Sequence, residues 1–114
     1  MKIIVAGGRN HRLSPDELEK LDSLTDISEL VSGGADGVDA DAEEWALAQK
    51  IPITRFQPNW SAYGRAAGPI RNREMAKYAD AVVLYPGGKG TESMYKEAVK
   101  ENLAIYDFRK TPNK

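Results

Sequence analysis

The sequence predicts an α/β fold, a doubly wound three-layer sandwich built on a five-stranded parallel sheet. Three observations predict it. Short β-branched runs alternate with longer amphipathic segments along the chain. The clearest runs, such as Ile3-Ile4-Val5 and Val82-Val83-Leu84, are apolar on both faces, as strands between two helix layers must be. Glycine-bearing loops then follow strands one, two and four, at the carboxyl ends where such sheets bind ligands.

Taken in order, Lys2-Ile3-Ile4-Val5-Ala6 is strand one. The first helix opens at Ser14-Pro15-Asp16-Glu17, where Ser14 caps, Pro15 suits the first turn and Glu17 completes a capping box. Leu18, Leu21 and Leu24 give it a buried stripe. Strand two spans 29–32, and helix two runs over 38–50 with Val38, Ala42, Trp45 and Ala46 on successive turns. Trp45, at helical spacing, belongs to the core. Strand three is 53–56, followed by a loop over 57–67 that holds Trp60, Tyr63 and Gly64. Helix three covers 68–78, strand four 81–85, helix four 91–102 and strand five 104–107. Right-handed crossovers with helices on both faces give the strand order 3-2-1-4-5. Strands one and four then lie side by side at the switch in winding direction. Residues 1–109 make one domain, and 110–114 read as a loose C-terminal tail.

Composition narrows the function. The 114 residues include 16 basic and 17 acidic side chains for a net charge of -1, against a protein built to neutralise a nucleic-acid backbone. No cysteine is present, so there is neither a disulfide framework nor a thiolate metal site. The one imidazole, His11, cannot build a typical zinc site. No metal and no cofactor are expected. The first apolar run stops at Gly7-Gly8, too short for a signal peptide, and nothing approaches the roughly 20 apolar residues of a membrane helix. A cytoplasmic protein with no membrane partner is expected.

The chemistry lies in the loops. They are Gly7-Gly8-Arg9-Asn10, Ser32-Gly33-Gly34-Ala35-Asp36-Gly37 and Pro86-Gly87-Gly88-Lys89-Gly90-Thr91. Glycine lets main-chain amides approach a ligand, and a loop feeding a helix aims unpaired amides and a positive dipole end at one spot. Phosphate is the usual occupant, with the Thr91 hydroxyl and the Lys89 charge as additions. Neither Gly-x-Gly-x-x-Gly after strand one nor Gly-x-x-x-x-Gly-Lys-Ser/Thr occurs, which argues against an ordinary dehydrogenase and a P-loop ATPase. In Gly68-Pro69-Ile70-Arg71-Asn72, Arg71 can grip phosphate in a two-pronged bond and Asn72 can read a base or ribose edge. Asp36, Asp39, Asp41, Glu43 and Glu44 crowd the start of helix two, where solvated carboxylates complement the dipole. Asp39 can alternatively accept ribose hydroxyls, and Trp60 with Tyr63 can form an aromatic lid over a base.

These motifs together resemble the SLOG superfamily, named for the Smf/DprA and Lonely-guy proteins, and within it the YspA-like, cpYpsA-related branch. The likeness runs from about Lys2 to Asn102 and includes Gly7-Gly8-Arg9, Ser32-Gly33-Gly34-Ala35, Gly37, Asp39, Trp45-Ala46, Trp60, Tyr63-Gly64, Ala67-Gly68-Pro69, Arg71-Asn72, Met75 and Ala79-Asp80-Ala81. It implies a Rossmann-like fold, a nucleotide-derived ligand of the ADP-ribose, NAD or nucleoside phosphate type, and a homodimer or higher oligomer. On that resemblance Gly87, Gly88, Gly90, Thr91 and Arg71 hold phosphate, while Gly8, Arg9, Ser32, Gly33, Asp39 and Asn72 contact phosphate, sugar or base. Lonely-guy proteins hydrolyse nucleoside 5′-monophosphates with an Arg-Lys pair and Pro-Gly-Gly-x-Gly-Thr-x-x-Glu. Here Asn72 replaces that lysine and Met94 that glutamate, with Glu92 nearby. Binding by a sensor or sequestering module is therefore expected over N-glycosidase activity, and both over DprA-like handling of single-stranded DNA.

Overall fold

The computed structural model describes residues 1–109; the expected tail over 110–114 lies outside the described residues. β1 (Lys2–Ala6) is the central strand of a five-stranded parallel sheet with β2 (Glu29–Ser32), β3 (Ile53–Arg55), β4 (Ala81–Leu84) and β5 (Ala104–Asp107), in the order β3-β2-β1-β4-β5. β1 pairs Ile4 with Val31 on one side and with Val82 on the other. The doubly wound α/β sandwich expected from the sequence is the fold observed.

Successive side chains of a strand point to opposite faces, and the two cores divide on that rule. Ile3, Val5, Leu30, Val83 and Tyr85 pack with α1 (Pro15–Asp22) and α2 (Val38–Ala48) through Leu21, Val38 and Trp45. Ile4, Val31, Val82 and Leu84 pack on the other face with α4 (Ala67–Tyr78) and α5 (Lys89–Lys100) through Met75, Met94 and Ala98. The Ser14–Glu17 capping box forms as expected, and Trp45 is core, its indole N–H donating to Asp22 Oδ1 at 2.8 Å. No helix among the described residues is long and apolar enough to cross a membrane.

Tyr85 is fully buried just beyond β4, and its hydroxyl donates to the Glu17 carbonyl at 2.7 Å. This bond ties the sheet to α1. Tyr85→Phe removes it without changing the ring, and should cost about 1 kcal/mol in chemical denaturation.

Two differences from the sequence reading matter. The expected loop over 57–67 contains α3 (Trp60–Tyr63) and a 3-10 turn, Gly64–Ala66. The Asn59 side chain caps α3 by accepting from the Ala62 N–H at 3.1 Å. A helix of one turn has no apolar period to read, so its cap is the only local signal. Helix four was expected from Thr91, yet α5 begins at Lys89 with Gly88 as its N-cap. Lys89, Gly90 and Thr91 are therefore its first turn rather than the end of a loop.

Candidate functional site

The carboxyl ends of β1 and β4 border a cleft of about 620 Å³, in the range of small-molecule sites. Its walls come from the loops after β1, β2 and β4, the first turn of α2, Arg71, Asn72 and Met75 of α4, and the first half of α5.

The Gly8 N–H donates to the Pro86 carbonyl at 2.9 Å, while the Gly8 carbonyl accepts from the amides of His11 and Val38, both at 3.2 Å. Gly8 thereby fastens the loop after β1 to the loop after β4 and to α2. Its amide is spent and offers a ligand no donor. The unpaired amides lie instead at the start of α5. Gly88 offers no side-chain cap, the first helical bond is Glu92 N–H to Gly88 O at 3.1 Å, and the amides of Lys89, Gly90 and Thr91 have no acceptor among the described residues. These are the orphan donors of a helix start, together with its positive dipole end, opening on the cleft.

Arg71 reaches the cleft from α4. Its Nη1 donates to the carbonyls of Gly33 at 2.7 Å and Phe56 at 3.2 Å, and its Nε to Asn72 Oδ1 at 3.0 Å. Nη2 has no acceptor among the described residues. Asn72 is buried and points its amide at Ser93 Oγ, 3.1 Å away, and the Gly90 carbonyl at 3.4 Å. The pair thus positions the guanidinium and fastens α4 to the start of α5. Burial weighs against the Arg71 cation, and the nearby Asp39 carboxylate offsets part of that cost.

Asp39 stands in the first turn of α2, 8% exposed, its Oδ2 accepting from the Ala35 N–H at 3.1 Å. Burial pushes its pKa up to about 6, against the opposing pull of the Ala35 amide and Arg71. Gly33 lies between these two groups. A Cβ there would fall 2.6 Å from Arg71 Nη1 and 3.0 Å from Asp39 Oδ2, so no larger residue fits without moving them.

Of the residues singled out from the sequence, Gly7, Gly8, Arg9, Gly33, Asp39, Arg71, Asn72 and the run Pro86, Gly87, Gly88, Lys89, Gly90, Thr91 line this one cleft. Ser32, Gly34 and Gly68 do not. Ser32 is occupied inside the fold, donating to Glu43 Oε2 at 2.6 Å and accepting from the Gly34 N–H at 3.1 Å. Gly68 lies beside the Trp60 ring. Trp60 and Tyr63 are exposed and stand outside the cleft wall, so they form no lid in this structure. Glu92 also lies outside, held by Arg109 Nη1 at 2.9 Å. The expected solvated acidic cluster is largely engaged. Asp41 accepts from the Arg12 side chain and the Leu13 N–H, while Glu43 binds Arg55 and Ser32.

His11 and Met94 line the cleft and were not expected to, and Asn10 and Met75, named in the first loop and in the family likeness without a ligand role, line it too. His11 Nε2 lies 3.0 Å from both carboxylate oxygens of Glu17. The signals existed. Asn10 and His11 continue the loop of Gly8, and Met75 and Met94 follow Arg71 and Gly90 by four positions, one helical turn on the same face.

Residues 1–63 match the sequence profile of the YspA, cpYpsA-related SLOG family. The Gene 61 protein of Mycobacterium phage D29 is 32% identical over 91 residues, an alignment covering 73% of each chain. Among solved structures, DNA processing protein A (DprA) from Streptococcus pneumoniae superposes with a TM-score of 0.75 over 98% of this chain, at 17% identity. The chain spans 51% of that protein, and the likeness is one of fold.

Proposed function

Because this chain belongs to the YspA, cpYpsA-related SLOG family, we propose that its cleft binds a nucleotide-derived small molecule by the phosphate. ADP-ribose, NAD and nucleoside phosphates are the ligand types, and the protein senses or sequesters one of them. The start of α5 carries the reading. Three amides there have no intramolecular acceptor, and Gly90 sits among them with no heavy atom within 4 Å of where its Cβ would be. Glycine in a helix is unfavourable by about 0.5–1 kcal/mol relative to alanine. The fold does not call for it at this position, whereas close approach of a phosphate to the main chain does. Arg71, held by carbonyls on two other segments, supplies the fixed cation.

Binding without hydrolysis is the simpler chemistry for this cleft. Met94 faces it where the hydrolytic relatives carry glutamate, and Glu92 is turned away to Arg109.

Calorimetric titration of ADP-ribose, NAD and AMP tests the reading. At least one should bind. Arg71→Ala should weaken it about ten- to thirtyfold, the loss of one charge-assisted contact. Gly90→Ala should weaken it too while leaving the thermal midpoint unchanged or raised. Undiminished affinity in both variants would remove the phosphate from this site. Binding of single-stranded DNA in preference to all three nucleotides would reassign the cleft to nucleic acid.

A further inference from the structure

The cleft is chemically lopsided. Arg9, Arg71, Lys89 and the free amides of α5 all favour an anion, yet Asp39 is also in its wall. It is the one carboxylate among the described residues that line the cleft. A buried carboxylate repels phosphate, so the phosphate belongs at the α5 end and away from Asp39.

Asp39 also has capacity to spare. Oδ2 accepts from the Ala35 N–H, while Oδ1 takes no hydrogen bond among the described residues, although the residue is only 8% exposed. An ionised carboxylate offers only acceptors, so whatever meets Oδ1 must donate. The Asp39 carboxylate and the Arg71 guanidinium both close on Gly33, where a Cβ has no room, so the two opposite charges stand side by side in the cleft wall.

Resting on the phosphate reading above, we propose that Asp39 selects ribonucleotides over deoxyribonucleotides by accepting a hydrogen bond from a ribose hydroxyl at Oδ1. The ligand then lies with its phosphate on the first turn of α5 and its sugar edge toward α2. A sugar lacking that hydroxyl leaves the carboxylate desolvated and unpaired, which is the expensive outcome.

The test titrates wild type and Asp39→Asn with AMP, 2′-deoxy-AMP, 3′-deoxy-AMP and adenosine. Wild type should bind AMP about ten- to a hundredfold more tightly than at least one deoxy analogue, the range for a hydrogen bond to a charged group. Asp39→Asn, which keeps only a neutral acceptor, should reduce that preference about three- to tenfold while remaining folded, because removing the buried charge relieves the fold. A merely structural Asp39 would leave the ratio unmoved. Equal binding of AMP and both deoxy analogues, with adenosine much weaker, overturns the ribose assignment and leaves phosphate binding standing. A preference undiminished in Asp39→Asn overturns it as well. AMP binding no better than adenosine, or AMP, ADP-ribose and NAD all failing to bind, overturns both; where NAD or ADP-ribose binds in place of AMP, its deoxyribose analogues are titrated in the same way with the same outcomes.

Discussion

Gly37→Ala is expected to destabilise the protein by at least about 3 kcal/mol, as a sum of backbone strain and steric clash, and to lower Tm by roughly 10 °C. Gly37 has φ +73° and ψ -124°, a region open in practice to glycine alone. Its Cβ would fall 2.4 Å from the Gly8 carbonyl oxygen and 2.5 Å from that of Arg9. Both are main-chain atoms, so no side-chain rotation relieves the overlap. The strain acts where the Val38 N–H meets the Gly8 carbonyl, which sets the loop after β1 against α2. Differential scanning calorimetry of Gly37→Ala beside Gly64→Ala separates the contributions. Gly64 also has positive φ, +54°, but no atom within 4 Å of its Cβ position, so its variant should lose far less. Equal losses would mean that φ alone sets the cost.

The second large effect is electrostatic and has the opposite sign. Burial raises the Asp39 pKa to about 6. The folded state therefore keeps a proton between about pH 4 and pH 6 that the unfolded chain has released. This group's contribution to stability is fully present below the unfolded pKa and is lost as pH rises through about 6. Above that, the ionised carboxylate costs the fold about 3 kcal/mol at 1.36 kcal/mol per pKa unit. Asp39→Asn should accordingly stabilise the protein by up to about 3 kcal/mol at pH 7.5, with little gain near pH 4. The comparison must be variant against wild type at each pH. Glu17, Glu29, Asp41 and Glu43 are all held below the usual glutamate or aspartate range by their partners, and they favour the fold at higher pH. Denaturant titrations at the two pH values decide it, and an unchanged difference between variant and wild type at both would contradict the burial argument. A stabilising substitution inside the cleft would also show that Asp39 is not there to hold the fold.

Much of the site was legible because its parts are local. Gly7 to Arg9, Gly33 and Pro86 to Thr91 follow apolar runs directly, and the strand order brings their loops to one edge. Arg71 and Asn72 were legible as the first turn of a helix reaching the same edge. What was not legible depended on partners distant in sequence. Ser32 looks like a ligand contact until Glu43, eleven positions away, takes its hydroxyl. Glu92 looks available until Arg109 takes its carboxylate, and Asp41 looks solvated until Arg12 takes it. The Gly8 amide looks free until the Pro86 carbonyl is found against it.

The chain by itself determined the layers, the strand order and the edge at which a ligand can bind, since these follow from hydrophobic periodicity, short connections and the handedness of crossovers. Only the folded arrangement decided which polar groups remain unspent there. A donor or acceptor serves a ligand when nothing else in the fold satisfies it, and its competitors are set by contacts across the chain. The amides of Lys89, Gly90 and Thr91 and one oxygen of Asp39 passed that test, and the Gly8 amide, Ser32 and Glu92 did not.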